Sequence, residues 1–258
     1  MRTLTPAPAT WILLLAALVS TACVSDDPSK SRKSIEEAAP VNAQLAITYL
    51  QQGNLPAAQE KVEKALKQDP KSAQVQMAAG FVYDRLGEDE SAEKHYALAA
   101  KYDPKNPDVL NNYAVFLCRK GDRKKGEQYF VQAAASPLYR TPEAAYANAG
   151  LCAREDGRPQ DADAYFRRAL EYRPNLPSPL LQLAELSYED ANYLQSRAFL
   201  QRYFAAAAAT APTHWLGYRV ESALGDAQQA LNYANRLKRE FPTSVETREL
   251  LRLEQGGS

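Results

Sequence analysis

The chain has 258 residues, with 31 Lys and Arg against 31 Asp and Glu and hence no formal net charge, which excludes the basic surplus of a nucleic-acid footprint. Apolar residues make up 45% and charged residues 24%, too hydrophobic for a disordered chain and ordinary for a folded one. Two histidines (His95, His214) and three cysteines (Cys23, Cys118, Cys152), with no CxxC or HExxH, leave no ligand set for a multi-ligand metal site.

The first segment reads as an address and not as part of a fold. Arg2 supplies a thin basic region, residues 11–19 (WILLLAALV) are an unbroken apolar run, and Ser20, Thr21 and Ala22 are small. A run this short has the length of a signal-peptide core, whereas a spanning helix needs about 20 apolar residues. Residues 1–22 are therefore expected to be a signal peptide. The stretch Val19-Ser20-Thr21-Ala22-Cys23 resembles a bacterial lipobox, with Ser20 where that motif prefers Leu. The resemblance implies that Cys23 is lipidated and begins the mature chain, held to a membrane by about 0.8 kcal/mol per buried methylene. The alternative is a plain secretory signal with an incidental Cys. Val24 stands where an Asp would favour inner-membrane retention, which implies the outer membrane of a Gram-negative bacterium. Residues 23–40, polar and Pro-containing from Ser25 onward (SDDPSKSRKSIEEAAP), read as a lipidated flexible tether.

Residues 41–258 carry an internal repeat of 34. Gly53, Gly87 and Gly121 keep that spacing, Gly157 follows after 36 and Gly225 after a further 68; Pro70 and Pro104 differ by 34, Pro174 and Pro242 by 68. Between these marks run columns of small and aromatic residues such as Ala92/Tyr96/Ala99 and Ala162/Phe166/Ala169, preceded by pairs such as Leu45-Ala46-x-x-Tyr49 and Ala79-Gly80-x-x-Tyr83. Small residues let two antiparallel helices approach, and the aromatic fills the gap to the next pair. Gly ends the first helix in a left-handed conformation and Pro stops the second. The pattern resembles the tetratricopeptide repeat. It implies an all-α fold, a right-handed α-solenoid of six tetratricopeptide repeats at 39–72, 73–106, 107–142, 143–176, 177–210 and 211–244, with a C-terminal capping helix over 244–253.

Three departures from the pattern carry their own expectations. The third repeat has two extra residues within 136–142 (SPLYRTP), so its second helix should end early. The fifth replaces the turn Gly with Ala191-Asn192, Asn being the next-best left-handed residue. Its alanine run 205–209 is a strong helix former and should extend its second helix.

With Cys23 assigned to lipid, two thiols remain, an even number for an oxidising compartment. Cys118 and Cys152 fall at positions 12 and 10 of their repeats. Neighbouring first helices lie side by side, so the axial offset is only about 3 Å and a Cys118–Cys152 disulfide is expected. The alternative is two buried thiols packing as small hydrophobes.

No GxSxG, phosphate-cradling glycine loop or GxGxxG occurs. Glu155-Asp156 and Glu189-Asp190 fall at turns, and neither His95 nor His214 has a visible catalytic partner. The chain reads as a non-enzyme with no cofactor. The repeat resemblance implies instead a polypeptide-binding concave face, lined by positions 2, 5, 6, 9, 12 and 13 of each first helix. In the first four repeats these include Ala43, Gln44, Ile47 and Leu50; Met77, Ala78, Phe81, Asp84 and Arg85; Asn111, Asn112, Val115 and Arg119; Ala147, Asn148, Leu151 and Arg154. Asn112 and Asn148 match single positions of the clamp some members use for a C-terminal carboxylate, but its lysines are absent. The expected partner groove is therefore apolar: Ile47, Leu50, Met77 and Phe81, with Arg85, Asn111 and Asn112 beside them. The alternative is that some of these residues only pack between helices, Val115 and Leu151 above all.

The run Leu110-Asn111-Asn112-Tyr113-Ala114-x-Phe116-Leu117-Cys118 before Gly121, with Cys152 in the next repeat and a lipobox ahead, resembles the PilF/PilW family of type IV pilus assembly lipoproteins. The resemblance implies a pilotin, a lipoprotein on the periplasmic face of the outer membrane. It would bind the pilus secretin subunit and promote its localisation and multimer assembly for pilus biogenesis and twitching. The implied partners are that secretin and the outer membrane, with no nucleic acid and no small-molecule substrate. The alternative is another periplasmic repeat lipoprotein, an adaptor in β-barrel insertion or a scaffold for peptidoglycan enzymes.

Overall fold

Small and apolar residues recurring at helical spacing between Gly and Pro stops produce thirteen helices and no strand among the described residues, 28–256 of this computed structural model. They form six antiparallel pairs: α1 (Pro28–Gln51) with α2 (Leu55–Gln68), α3 (Ala73–Leu86) with α4 (Asp89–Tyr102), and α5 (Pro107–Lys120) with α6 (Arg123–Ala134). The series continues with α7 (Pro142–Glu155) and α8 (Pro159–Tyr172), α9 (Pro177–Glu189) and α10 (Tyr193–Ala206), then α11 (Ala211–Leu224) and α12 (Ala227–Glu240), and α13 (Val245–Glu254) closes the stack. This is the expected all-α, right-handed solenoid of six tetratricopeptide repeats with a C-terminal cap.

Most of these helices have 14 residues, about 21 Å of length, and their ends are chemically marked. Asn54, Ser72, Asn106, Asp226 and Ser244 each accept a hydrogen bond from a backbone N–H in the first turn they precede, and such a cap contributes about 1 kcal/mol. Thr210 and Thr213 cap α11 reciprocally. Gly87, Gly121 and Gly225 end α3, α5 and α11 in the left-handed conformation. The core runs the length of the stack, with Tyr96, Tyr113, Phe130 and Phe166 buried at the junctions. Two carboxylates that enter it, Glu127 and Glu221, are paired with Arg158 of the turn before α8 and with Arg197 of α10, which is what makes a buried charge tolerable.

The sequence and the fold differ in three places. The expected signal peptide, Cys23 and the residues up to 27 lie outside the described residues. From Pro28, however, the expected tether is helical, and α1 runs through Pro40 into the first repeat. Ala39 and Ala43 are buried in the first core cluster, and Asn42 donates to Gln68 on α2 at 2.7 Å. Packing of this kind outweighs the one backbone donor that Pro40 lacks. In the fifth repeat the left-handed residue is Ala191, with φ 56°, not Asn192. Asn192 instead caps α10, accepting from the Gln195 N–H. The alanine run does not lengthen α10, which stops at Ala206 with Ala207 extended. A longer helix would consume the turn into α11, whose start is set by Thr210 and by Pro212, so register overrides propensity. The early end in the third repeat is present: α6 stops at Ala134.

Candidate functional site

First helices of successive repeats line the concave face, and at its N-terminal end a groove lies between α1 and α3. Ala43, Gln44 and Ile47 form one wall and Gln74, Met77, Ala78 and Phe81 the other, around a volume of about 200 Å³. Ile47, Met77 and Phe81 are each half-buried, so their apolar surface is partly offered to solvent. Phe81 stands edge-on against Tyr96, ring centroids 5.6 Å apart, and burial pushes the Tyr96 hydroxyl above its ordinary range. A buried ring thus fixes the orientation of the groove residue.

The other expected groove residues are placed differently. Leu50 is 8% exposed and belongs to the first core cluster with Val62 and Val82, so it supports the wall without lining it. Asn112 donates its amide to the Met77 sulfur at 3.5 Å and braces that side chain from α5. Asn111 is half-buried, its Oδ1 without a partner among the described residues, and Arg85 is exposed. Further along the face Val115 and Leu151 are 44% and 36% exposed, so neither is the core residue that the packing alternative supposed. They flank a second depression, of about 310 Å³, floored by Cys118 and Cys152. The two sulfurs lie at bonding distance and the Cα atoms 5.7 Å apart.

Polar residues of this face mostly bind one another across repeats. Arg119 of α5 pairs with Asp84 of α3. Arg154 of α7 reaches Glu185 at 2.5 Å and Glu189 at 2.6 Å, both on α9. The lining positions applied to repeats five and six would also have named Tyr188, Trp215 and Arg219, which gather at the C-terminal end of the face. The signal was the repeat register itself, carried through four repeats and not six.

Both histidines are structural. His95 on α4 bonds Gln76 at 2.6 Å and stacks on Tyr83. His214, 2% exposed, lies among Phe204, Tyr233 and Phe241, with Nε2 3.3 Å from Glu240. Arg239, and after it His214, hold the Glu240 carboxyl below the usual carboxylate range. Among the described residues no group of three His, Cys, Asp or Glu side chains is placed to hold a metal ion, and no helix is long and apolar enough to cross a membrane.

Known proteins share both the sequence and the architecture. Tetratricopeptide-repeat models match residues 49–109 and 143–176. The type IV pilus assembly protein PilF of Pseudomonas aeruginosa is 31% identical over 241 residues, which span 92% of this chain and 96% of that protein. The solved structure of Pseudomonas aeruginosa PilF matches with a TM-score of 0.71 at 30% identity, covering 86% of this chain and 98% of that one. The crystal structure of PilW, a widely conserved type IV pilus biogenesis factor, also gives 0.71, at 29% identity and 83% and 98% coverage. Identity at this level over nearly the full length of both chains, on a common fold, means that the chain belongs to the PilF family of type IV pilus assembly proteins.

Proposed function

We propose that this protein is the pilotin of a type IV pilus system, an adaptor that holds a segment of the secretin subunit and performs no bond chemistry. The observation that carries the reading is the half-buried apolar groove of Ile47, Met77 and Phe81 on the concave face. Apolar surface left open in this way takes up an apolar segment of another chain. Membership of a pilus assembly family supports the choice of partner. Cys23, acylated, tethers the solenoid to the periplasmic face of the outer membrane, where two chains confined to one surface meet at raised effective concentration. Binding then lowers the free concentration of an aggregation-prone secretin segment by mass action. A Cys118–Cys152 bridge holds repeats three and four together across the irregular loop.

The test is complementation of a deletion strain, reading secretin multimers in the outer membrane together with twitching. The deletion should lose both, and neither Phe81→Asp nor Ile47→Asp should restore them while the purified variants keep their helical circular dichroism. Normal multimers in the deletion strain overturn the reading. A general loss of β-barrel proteins from the outer membrane would place the protein in barrel insertion instead.

A further inference from the structure

The C-terminal half of the concave face holds another pocket, of about 510 Å³, between α7, α9 and α11. Four charged side chains line it, and three are committed to one another. Arg154 donates from Nη1 to Glu185 at 2.5 Å and to Gln182 at 2.6 Å, and from Nη2 to Glu189 at 2.6 Å, so both carboxylates are hydrogen-bonded to one guanidinium, which balances one of their two charges. The fourth, Arg219, is left over. Among the described residues it enters no hydrogen bond or ion pair, and its Nε is shielded from water without a partner.

Arg219 is nevertheless held in place. Its guanidinium carbon lies 4.6 Å from the ring centroid of Tyr188 and 5.8 Å from that of Trp215, and Trp215 itself stacks on Tyr218 at 5.3 Å. Stacking occupies the flat faces of a guanidinium and leaves its in-plane N–H donors free. The guanidinium as a whole has no acceptor of its own, and a ligand that supplies one to its outer N–H groups recovers part of the cost of leaving it unpaired. The planar fork, already immobilised by its aromatic walls, loses little freedom on binding and matches two oxygens on one carbon.

We propose that Arg219, between Tyr188 and Trp215, is a carboxylate-binding subsite for a polypeptide lying in the concave groove. The carboxylate belongs to an Asp or Glu side chain or to a chain terminus. The proposal rests on the reading that this face holds a polypeptide, and adds a charged contact to the apolar one at the other end.

The test uses the full chain labelled with nitrogen-15 on arginine, following the Nε–Hε resonance of Arg219, assigned by its absence in Arg219→Lys and Arg219→Gln. Three probes are titrated at low salt: acetyl-pentaalanine with a free carboxyl end, its amide, and an acetylated, amidated alanine peptide with one central Glu. At least one carboxylate peptide should shift the resonance saturably, about tenfold more tightly than the pentaalanine amide, and Tyr188→Leu should weaken it. Which peptide responds identifies the source of the carboxylate. Equal responses to all three probes, or none to any, overturn the proposal. A carboxylate response alongside undiminished secretin capture by Phe81→Asp would keep this subsite and discard the apolar groove; capture lost in Phe81→Asp without any carboxylate response would do the reverse.

Discussion

A Cβ on Gly126 would lie 2.5 Å from the sulfur of Cys118, so the bare glycine on α6 is what admits that sulfur between α5 and α6. Equivalent columns of other repeats hold Ala58, Ala92 and Ala162, all fully buried. Replacing a helical Gly by Ala ordinarily stabilises by about 0.5–1 kcal/mol, but here the added methyl meets sulfur. Gly126→Ala should therefore destabilise, by about 1–3 kcal/mol in urea titrations. In a Cys118→Ala background the same step should cost less, the difference being the coupling of the pair. It will not fall to zero, because the Ala114 carbonyl oxygen remains 3.0 Å from the new methyl.

Cys118 and Cys152 are 34 residues apart in sequence and their Cα atoms 5.7 Å apart in space, inside the range that disulfides span. Closing a loop of that length contributes about 3–4 kcal/mol, chiefly by restricting the unfolded chain. Cys152→Ser, or reductant, should lower the unfolding midpoint by a corresponding amount. The mature chain, alkylated under denaturing conditions, should take up no label without reductant and two labels after it. Two labels without reductant would mean free thiols.

Ala191 adopts φ 56° at the turn between α9 and α10, a conformation that costs an L-residue about 1–2 kcal/mol. Ala191→Gly relieves it and returns part of the gain through a more flexible unfolded chain. The expected result is a net stabilisation of up to about 1 kcal/mol, read as a higher melting temperature. Asn192→Ala should do the opposite, losing the α10 cap and about 1 kcal/mol. If Asn192 and not Ala191 carried the turn, Ala191→Gly would not stabilise.

His95 introduces a pH dependence. Gln76 donates its amide to the Pro70 carbonyl at 2.6 Å, so its Oε1 faces His95 Nδ1 at 2.6 Å and the imidazole carries its proton on Nδ1. Burial first, and Lys94 second, hold His95 below its ordinary value of 6.5. In acid the unfolded chain therefore takes up a proton before the folded one does. The His95 contribution is complete above about pH 6.5 and is lost as pH falls from there through the lower folded value. Urea midpoints measured from about pH 8 down to about pH 5 should show the decline, and His95→Gln should flatten it. An unchanged slope in that variant would assign the decline to other groups.

Much of the candidate site was legible in the repeat register. Positions counted from the repeat start turn Ile47, Met77 and Phe81 to one face, and these three line the groove. Leu50 obeys the same count yet packs inward. A helical wheel assigns a direction but not the distance to the neighbouring helix, and at the end of α1 that neighbour is close. Val115 and Leu151 err the other way. Their apolar character suggested core, yet on α5 and α7 both are open to solvent.

The number of helices, their order and most of their stops were written in local chemistry: the spacing of small and aromatic residues, capping side chains, and Gly or Pro at the breaks. Such signals act within one or two turns and survive in any context. Two kinds of feature needed the assembled stack. Where packing competes with a local rule it prevails, as at Pro40 inside α1 and in the alanine run that ends α10. Whether an arginine of the concave face is paired depends on partners some 35 residues away, such as Glu189 for Arg154. Charge pairing at that range is a property of neighbouring repeats in space, and a linear pattern does not contain it.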